Sequence, residues 1–318
     1  MERIFRQVCD KDKTKELLNR NFYNNPQLGE DAFSSLKEFF KEENISFSNE
    51  QELLIKETLS RISPITARHS IGVVLDSKVI MDENPNIEFD RKSIFFSGLI
   101  HDIGKSIVEP EILMTSSRYD NNMKEIMGKH SISSKEVLEC LIEDINNKNN
   151  SNYRISDFFD NASQEKQVLD NIQFHHLSEV KSLKDELIPE DITSINLIQK
   201  ADKLEAYSSP IRAYNKIHSI DDILEMRDVF DRDVDKLETI LDKSYSKIIV
   251  SDDAISKIAS KGLLYNDILN DYILDEYIQS ANIDNDVVLN IFVQKEVHNV
   301  KEAKEKMNLD VPKNVFEL

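Results

Sequence analysis

His101 and Asp102 stand side by side in the run Ser97-Gly-Leu-Ile-His-Asp-Ile-Gly-Lys105, at the end of an apolar segment. Imidazole and carboxylate both give an electron pair to a cation, so the pair points to a metal site. Four more histidines, His69, His130, His175 and His176, and a further acid, Asp202, fall on or beside other apolar stripes. Ile62, Ile65, His69 and Val73 recur three and four apart, which puts His69 on the buried face of a helix. Ile195, Ile198 and Asp202 likewise share one face, and a carboxylate turned inward calls for a cation or strong donors. Met123, Ile126, Met127, His130, Val137 and Leu138 follow similar spacing, with Ser131 to Ser134 a candidate helix break. His175 and His176 differ in direction by about 100° on a helix, so both serve one site only at the helix edge. Taken singly, each residue has an ordinary explanation: a lone inward histidine is more often a hydrogen-bonded core residue, and an inward aspartate a buried ion pair. The joint pattern favours one shared site. Gly104 reads as a turn immediately after the His-Asp pair that presents Lys105 toward the same pocket.

The elements that position these residues read as helices. Six glycines and seven prolines in 318 residues leave few hairpin sites, while Leu, Ile, Lys, Glu and Asp recur at helical spacing. The expected fold is all-α. Ser63-Pro64 predicts an N-cap with proline at the first helical position, and Asp90 a cap for the segment leading into His101. Pro189 restarts a helix that runs through Asp202. Residues 1–55 form a charged helical extension, broken near Asn24-Asn25-Pro26 and again near Asn44. Residues 56–220 form the metal-binding core, and 221–318 a C-terminal helical region with Gly262 a plausible C-cap and no motif. The Asn-rich stretch Asp144–Asn152 predicts a loop or disordered insert, close enough to the site to act as a lid on substrate entry.

Composition narrows the function classes. Lys and Arg number 40 against 59 Asp and Glu, a formal net charge of −19 that argues against binding double-stranded nucleic acid. Only Cys9 and Cys140 occur, too few for a disulfide framework or a thiolate zinc site. With a charged N-terminus and no apolar run of roughly 18 residues, the expectation is a cytoplasmic protein without a membrane segment.

The order of these residues resembles the HD superfamily of metal-dependent phosphohydrolases, in which a distant His, a His-Asp pair and a later Asp bind metal. His69, His101, Asp102 and Asp202 match those positions. Gly98-Leu-Ile-His-Asp-Ile-Gly-Lys105, Glu109-Pro-Glu-Ile-Leu113, Glu125-Ile-Met-Gly-Lys-His130, the His175-His176 pair and Ala201-Asp202 followed by Arg212-Ala-Tyr214 resemble the HD-GYP branch. Leu177 to Lys184 stands where that branch carries Gly-Tyr-Pro, and Ile65 stands where it often has a glutamate able to ligate a further metal, so two metals are expected rather than three. Arg212 lies one residue farther from Asp202 than in the usual pattern.

The resemblance implies an HD-domain helical bundle holding two divalent transition-metal ions, with Fe or Mn favoured. His69, His101 and Asp202 would take one ion, His130, His175 and His176 a second, and Asp102 would bridge them. Asp102 and Lys105 are the candidate catalytic residues, with Lys105 and Arg212 binding substrate. The implied activity is a phosphodiesterase for a cyclic dinucleotide of the cyclic di-GMP type. A nucleotidase or phosphomonoesterase, and a catalytically inactive signalling module, are the alternatives. A homo-oligomer contact or a signalling partner would use the helical flanks.

Overall fold

The computed structural model describes residues 11–108, 121–175 and 189–208, together with Ile248 and Ser251. Among these residues the secondary structure is helical and contains no strand, so the all-α expectation holds.

Short polar residues set the helix starts. Asn25 accepts from the Leu28 amide and Pro26 opens the helix behind it, so the chain breaks where the sequence predicts it. In chain order the helices are α1 (Lys11–Arg20), α2 (Pro26–Ser35), α3 (Lys37–Glu42), α4 (Asn49–Ser60), α5 (Pro64–Glu83) and α6 (Arg91–Ile100). After the 3-10 helix His101–Ile107 come α7 (Asn121–Asn149), a second 3-10 turn (Ile155–Phe158), α8 (Ala162–Phe174) and α9 (Pro189–Ser208). Ser48 and Gln51 form a reciprocal capping box on α4. Ser63 caps α5 with Pro64 in its first turn, and Asp90 caps α6 by accepting from the Ser93 amide, both as the sequence indicates. Asn21 and Asn44, at the breaks after α1 and α3, adopt φ of 56° and 55°, a left-handed conformation that asparagine tolerates.

Helix α5 is the central column. Nearly every residue from Ile65 to Met81 is buried, which requires neighbours on most sides, and α6 and α9 pack along it. Its first turns carry His69, α6 leads into His101, and α9 carries Asp202. The N-terminal helices share this core. Phe40 and Phe47 pack edge to face with ring centroids 5.1 Å apart, and Phe47 meets Phe96 of α6 at 5.8 Å. One continuous apolar cluster therefore runs from Leu18 through the site-bearing helices to Ile248.

Two expectations are corrected. The Ser131–Ser134 stretch does not break α7, which is continuous from Asn121 to Asn149. Asp144–Asn152 is not a loop or disordered insert: all but its end belongs to α7, and the chain turns at Asn150, with φ of 50°. Buried Ile142 and Ile145 hold the inner face while the asparagines and lysines face outward, so polar composition concealed the periodicity. Asn146 also anchors the turn after the helix, accepting from the Tyr153 amide at 2.7 Å and donating to its carbonyl at 2.8 Å. Asn146 lies sixteen residues beyond His130 on the same helix, about 24 Å at the α-helical rise. That distance rules out the lid.

Candidate metal centre

Five elements deliver the polar side chains to one buried point. His69 comes from α5, His101 and Asp102 from the start of the 3-10 helix, His130 from α7 and His175 from the end of α8, while Asp202 comes from α9. His101, Asp102, His130 and His175 are all buried.

The tight 3-10 segment exists because it must fit under α7. A Cβ on Gly104 would collide with the carbonyl oxygen of His130, and its amide donates to Ser134 Oγ at 3.3 Å. Gly104 thus serves close approach between backbones rather than the turn expected from the sequence. Ser134 Oγ also lies 3.0 Å from the His101 carbonyl and 3.1 Å from the His130 carbonyl. The serine that looked like a helix breaker joins the two backbones that carry ligand candidates.

Asp102 divides the centre. Its Oδ1 lies 3.0 Å from His130 Nε2 and 3.6 Å from His175 Nε2. Its Oδ2 lies 3.4 Å from His101 Nε2, 3.7 Å from His69 Nε2 and 2.6 Å from Lys105 Nζ. On the second side, Asp202 Oδ1 stands 2.9 Å from His69 Nε2 and 3.7 Å from His101 Nε2. One carboxylate oxygen therefore faces each half.

Ring orientation is set by the partner of the other nitrogen. His101 Nδ1 contacts the Gly98 carbonyl and His175 Nδ1 the Ile172 carbonyl, each at 2.8 Å. A carbonyl only accepts, so Nδ1 carries a hydrogen and each ring turns its Nε2 to the centre; burial favours the neutral ring at His175, whereas at His101 desolvation is outweighed by Asp102, which raises its pKa. His69 Nδ1 is held by Glu205 Oε2, whose other oxygen accepts from Arg68 Nη1 at 2.8 Å.

Burial penalises charge on every group here, and the neighbours decide which charges persist. Desolvation lowers the His69 pKa, but the carboxylates of Glu205 and Asp202 outweigh it and push it up to about 10. A cation taking His69 as a ligand must therefore displace a proton. His130 goes the other way: desolvation dominates and takes it down to about 3 despite Asp102, leaving a neutral imidazole. Asp102 resists the effect of its burial, and His101 and Lys105 hold it well below the usual carboxylate range. Asp202 is held low in the same way by His101 and His69.

These residues fit a cation. His69, His101 and Asp202 bring donor atoms within 4.8 Å of one another, as do His101, Asp102 and His175, and each set could hold a metal ion. Buried His101 Nε2 makes no hydrogen bond although two carboxylate oxygens are nearby, as expected of a ring nitrogen aimed at a ligand position. Of the residues singled out in the sequence, His176, Arg212 and the Leu177–Lys184 stretch lie outside the described residues. Ile65 is buried and adds no donor. Arg68 and Glu205 carry no motif that would single them out in the sequence. The available signal was spacing, since Glu205 lies three residues past Asp202 on the same face of α9.

No curated protein and no solved structure matches the chain. The family model of the HD domain matches residues 66–207, the stretch that begins in α5 just before His69 and ends in α9 just after Glu205. With its His-Asp pair buried between an earlier histidine and a later aspartate, the stretch 66–207 is an HD domain, consistent with the HD superfamily of metal-dependent phosphohydrolases.

Proposed function

We propose that the protein is a phosphodiesterase for a cyclic dinucleotide of the cyclic di-GMP type. The observation that carries the reading is the divided environment of Asp102, with one oxygen toward His130 and His175 and the other toward His69 and His101. That arrangement suits a bridging carboxylate between two ions, one taken by His69, His101 and Asp202 and one by His130, His175 and His176. Imidazole and carboxylate donors without thiolate suit Fe, Mn or Zn, and the HD-GYP resemblance favours Fe or Mn. Two such ions would supply a water activated at neutral pH and a clamp on the attacking and leaving oxygens at phosphorus.

The chain's own residues do the rest. Asp102 holds the two halves in register, and the Gly98 and Ile172 carbonyls keep His101 and His175 from rotating. Lys105 is only partly exposed and sits against Asp102, a cation at the edge of the centre placed to hold a nonbridging phosphate oxygen and to stabilise charge developing on it. Arg212 would hold the second phosphate. The HD-GYP resemblance of residues around His101, His130 and His175 supports the cyclic dinucleotide, whereas the replacement of Gly-Tyr-Pro favours the inactive signalling module. Product analysis separates the readings. Metal-loaded protein should convert cyclic di-GMP to a linear dinucleotide; release of inorganic phosphate from nucleotides instead would favour the nucleotidase, and no turnover across the panel the signalling module.

A further inference from the structure

His101 and His175 brace their rings on backbone carbonyls three residues before them, whereas His69 is braced by a carboxylate from another helix. We propose that Glu205 is the positioning residue for the His69 half of the centre, fixing which nitrogen of His69 faces a cation and making that half the tighter of the two. The proposal rests on the metal-site reading above.

Geometry at three positions carries it. Glu205 Oε2 holds His69 Nδ1, which leaves His69 Nε2 facing Asp202 Oδ1 at 2.9 Å. A carboxylate behind a ligand imidazole orients the ring and raises its basicity. The second oxygen of Glu205 is tied to Arg68 Nη1 at 2.8 Å, with side-chain exposures of 7% for Glu205 and 4% for Arg68. Rotation of Glu205 would break its ion pair with the buried Arg68 as well as its contact with His69, so the carboxylate is pinned at both ends. Gly72, three residues after His69 on α5, supplies the space. A Cβ there would lie 2.8 Å from Glu205 Oε1 and collide with Glu205 Cγ, so α5 accommodates the carboxylate only with glycine at this position.

The test is calorimetric titration of the metal-free full chain with Mn²⁺, comparing wild type, Glu205→Gln, Gly72→Ala and His69→Ala, with circular dichroism to verify folding. Glutamine keeps the shape, but its single carbonyl oxygen cannot accept from both His69 and Arg68 in the present geometry. Wild type should bind two ions, and Glu205→Gln should lose about 10- to 100-fold in affinity for the tighter one while keeping the weaker. His69→Ala should affect that same tighter site, and Gly72→Ala should move it in the same direction by displacing Glu205. If Glu205→Gln does not fold, Gly72→Ala carries the comparison. Two unchanged affinities in a folded Glu205→Gln or Gly72→Ala protein would overturn the proposal while leaving the metal site intact. Equal weakening of both ions would mark Glu205 as merely structural and also overturn it. A wild type that takes up no Mn²⁺ would overturn the metal-site reading itself.

Discussion

Lys105 and Gly104 are neighbours with separable roles. Lys105 Nζ lies 2.6 Å from Asp102 Oδ2 but brings no lone pair to a cation at neutral pH. Lys105→Ala should therefore leave metal content unchanged and lower kcat by about 10²–10³, the loss typical of one electrostatic stabiliser. Metal analysis beside steady-state kinetics checks both halves of that expectation, and loss of metal would mean that Lys105 is needed to organise Asp102. Gly104→Ala tests packing instead. The added methyl meets the His130 carbonyl, so the 3-10 helix and α7 must separate, at a cost of about 1–3 kcal/mol measurable by urea unfolding.

Among the elements, α7 carries His130 at the metal centre and continues along α1. At its far end Glu143 pairs with Lys11 and Lys15 of α1, at 2.7 and 2.9 Å. Hydrogen bonds from these lysines hold the Glu143 pKa below its ordinary value. A depressed carboxylate stabilises the fold above its unfolded pKa, and that contribution is lost as pH falls through the folded value. Acidification below the ordinary glutamate range should thus loosen α1 before the core opens, read as faster amide exchange confined to residues 11–20, and Glu143→Gln should remove this pH dependence. The same helix shows why part of the fold was hidden in the sequence. Caps such as Ser63 and Asp90 act over three residues and are legible locally, but Asp144–Asn149 is helical because Ile142 and Ile145 pack inward. Replacing residues 146–152 by a short Gly-Ser linker should consequently lower stability and leave KM unchanged; an altered KM would revive a role for this segment in substrate entry. Glu205 was hidden for a different reason, since its partners His69 and Arg68 lie more than 130 residues away and meet it only in the folded chain.

At the scale of the whole molecule, the core extends beyond the matched HD domain. Leu28, Phe33 and Phe40 join the cluster that contains Phe95, Phe96 and the apolar residues beside His101. Phe40→Ala should accordingly destabilise the site-bearing bundle by about 3–5 kcal/mol, visible as a shifted urea midpoint for the entire helical signal. A change confined to a separate early transition would contradict a shared core. Among the described residues no helix is long and apolar enough to cross a membrane. The histidines and aspartates were legible because their residue types and apolar surroundings announce them one by one; their convergence on Asp102 was expected from the family resemblance and not from spacing, because it depends on how α5, α7, α8 and α9 pack around the 3-10 helix.

The central claim is that Asp102 joins two cation sites, and metal analysis of Asp102→Ala against wild type tests it most directly. Protein prepared without oxygen and with Fe or Mn in excess should contain close to two ions per chain, and the variant, still folded by circular dichroism, should lose most of both. Unchanged metal content in Asp102→Ala would contradict the account.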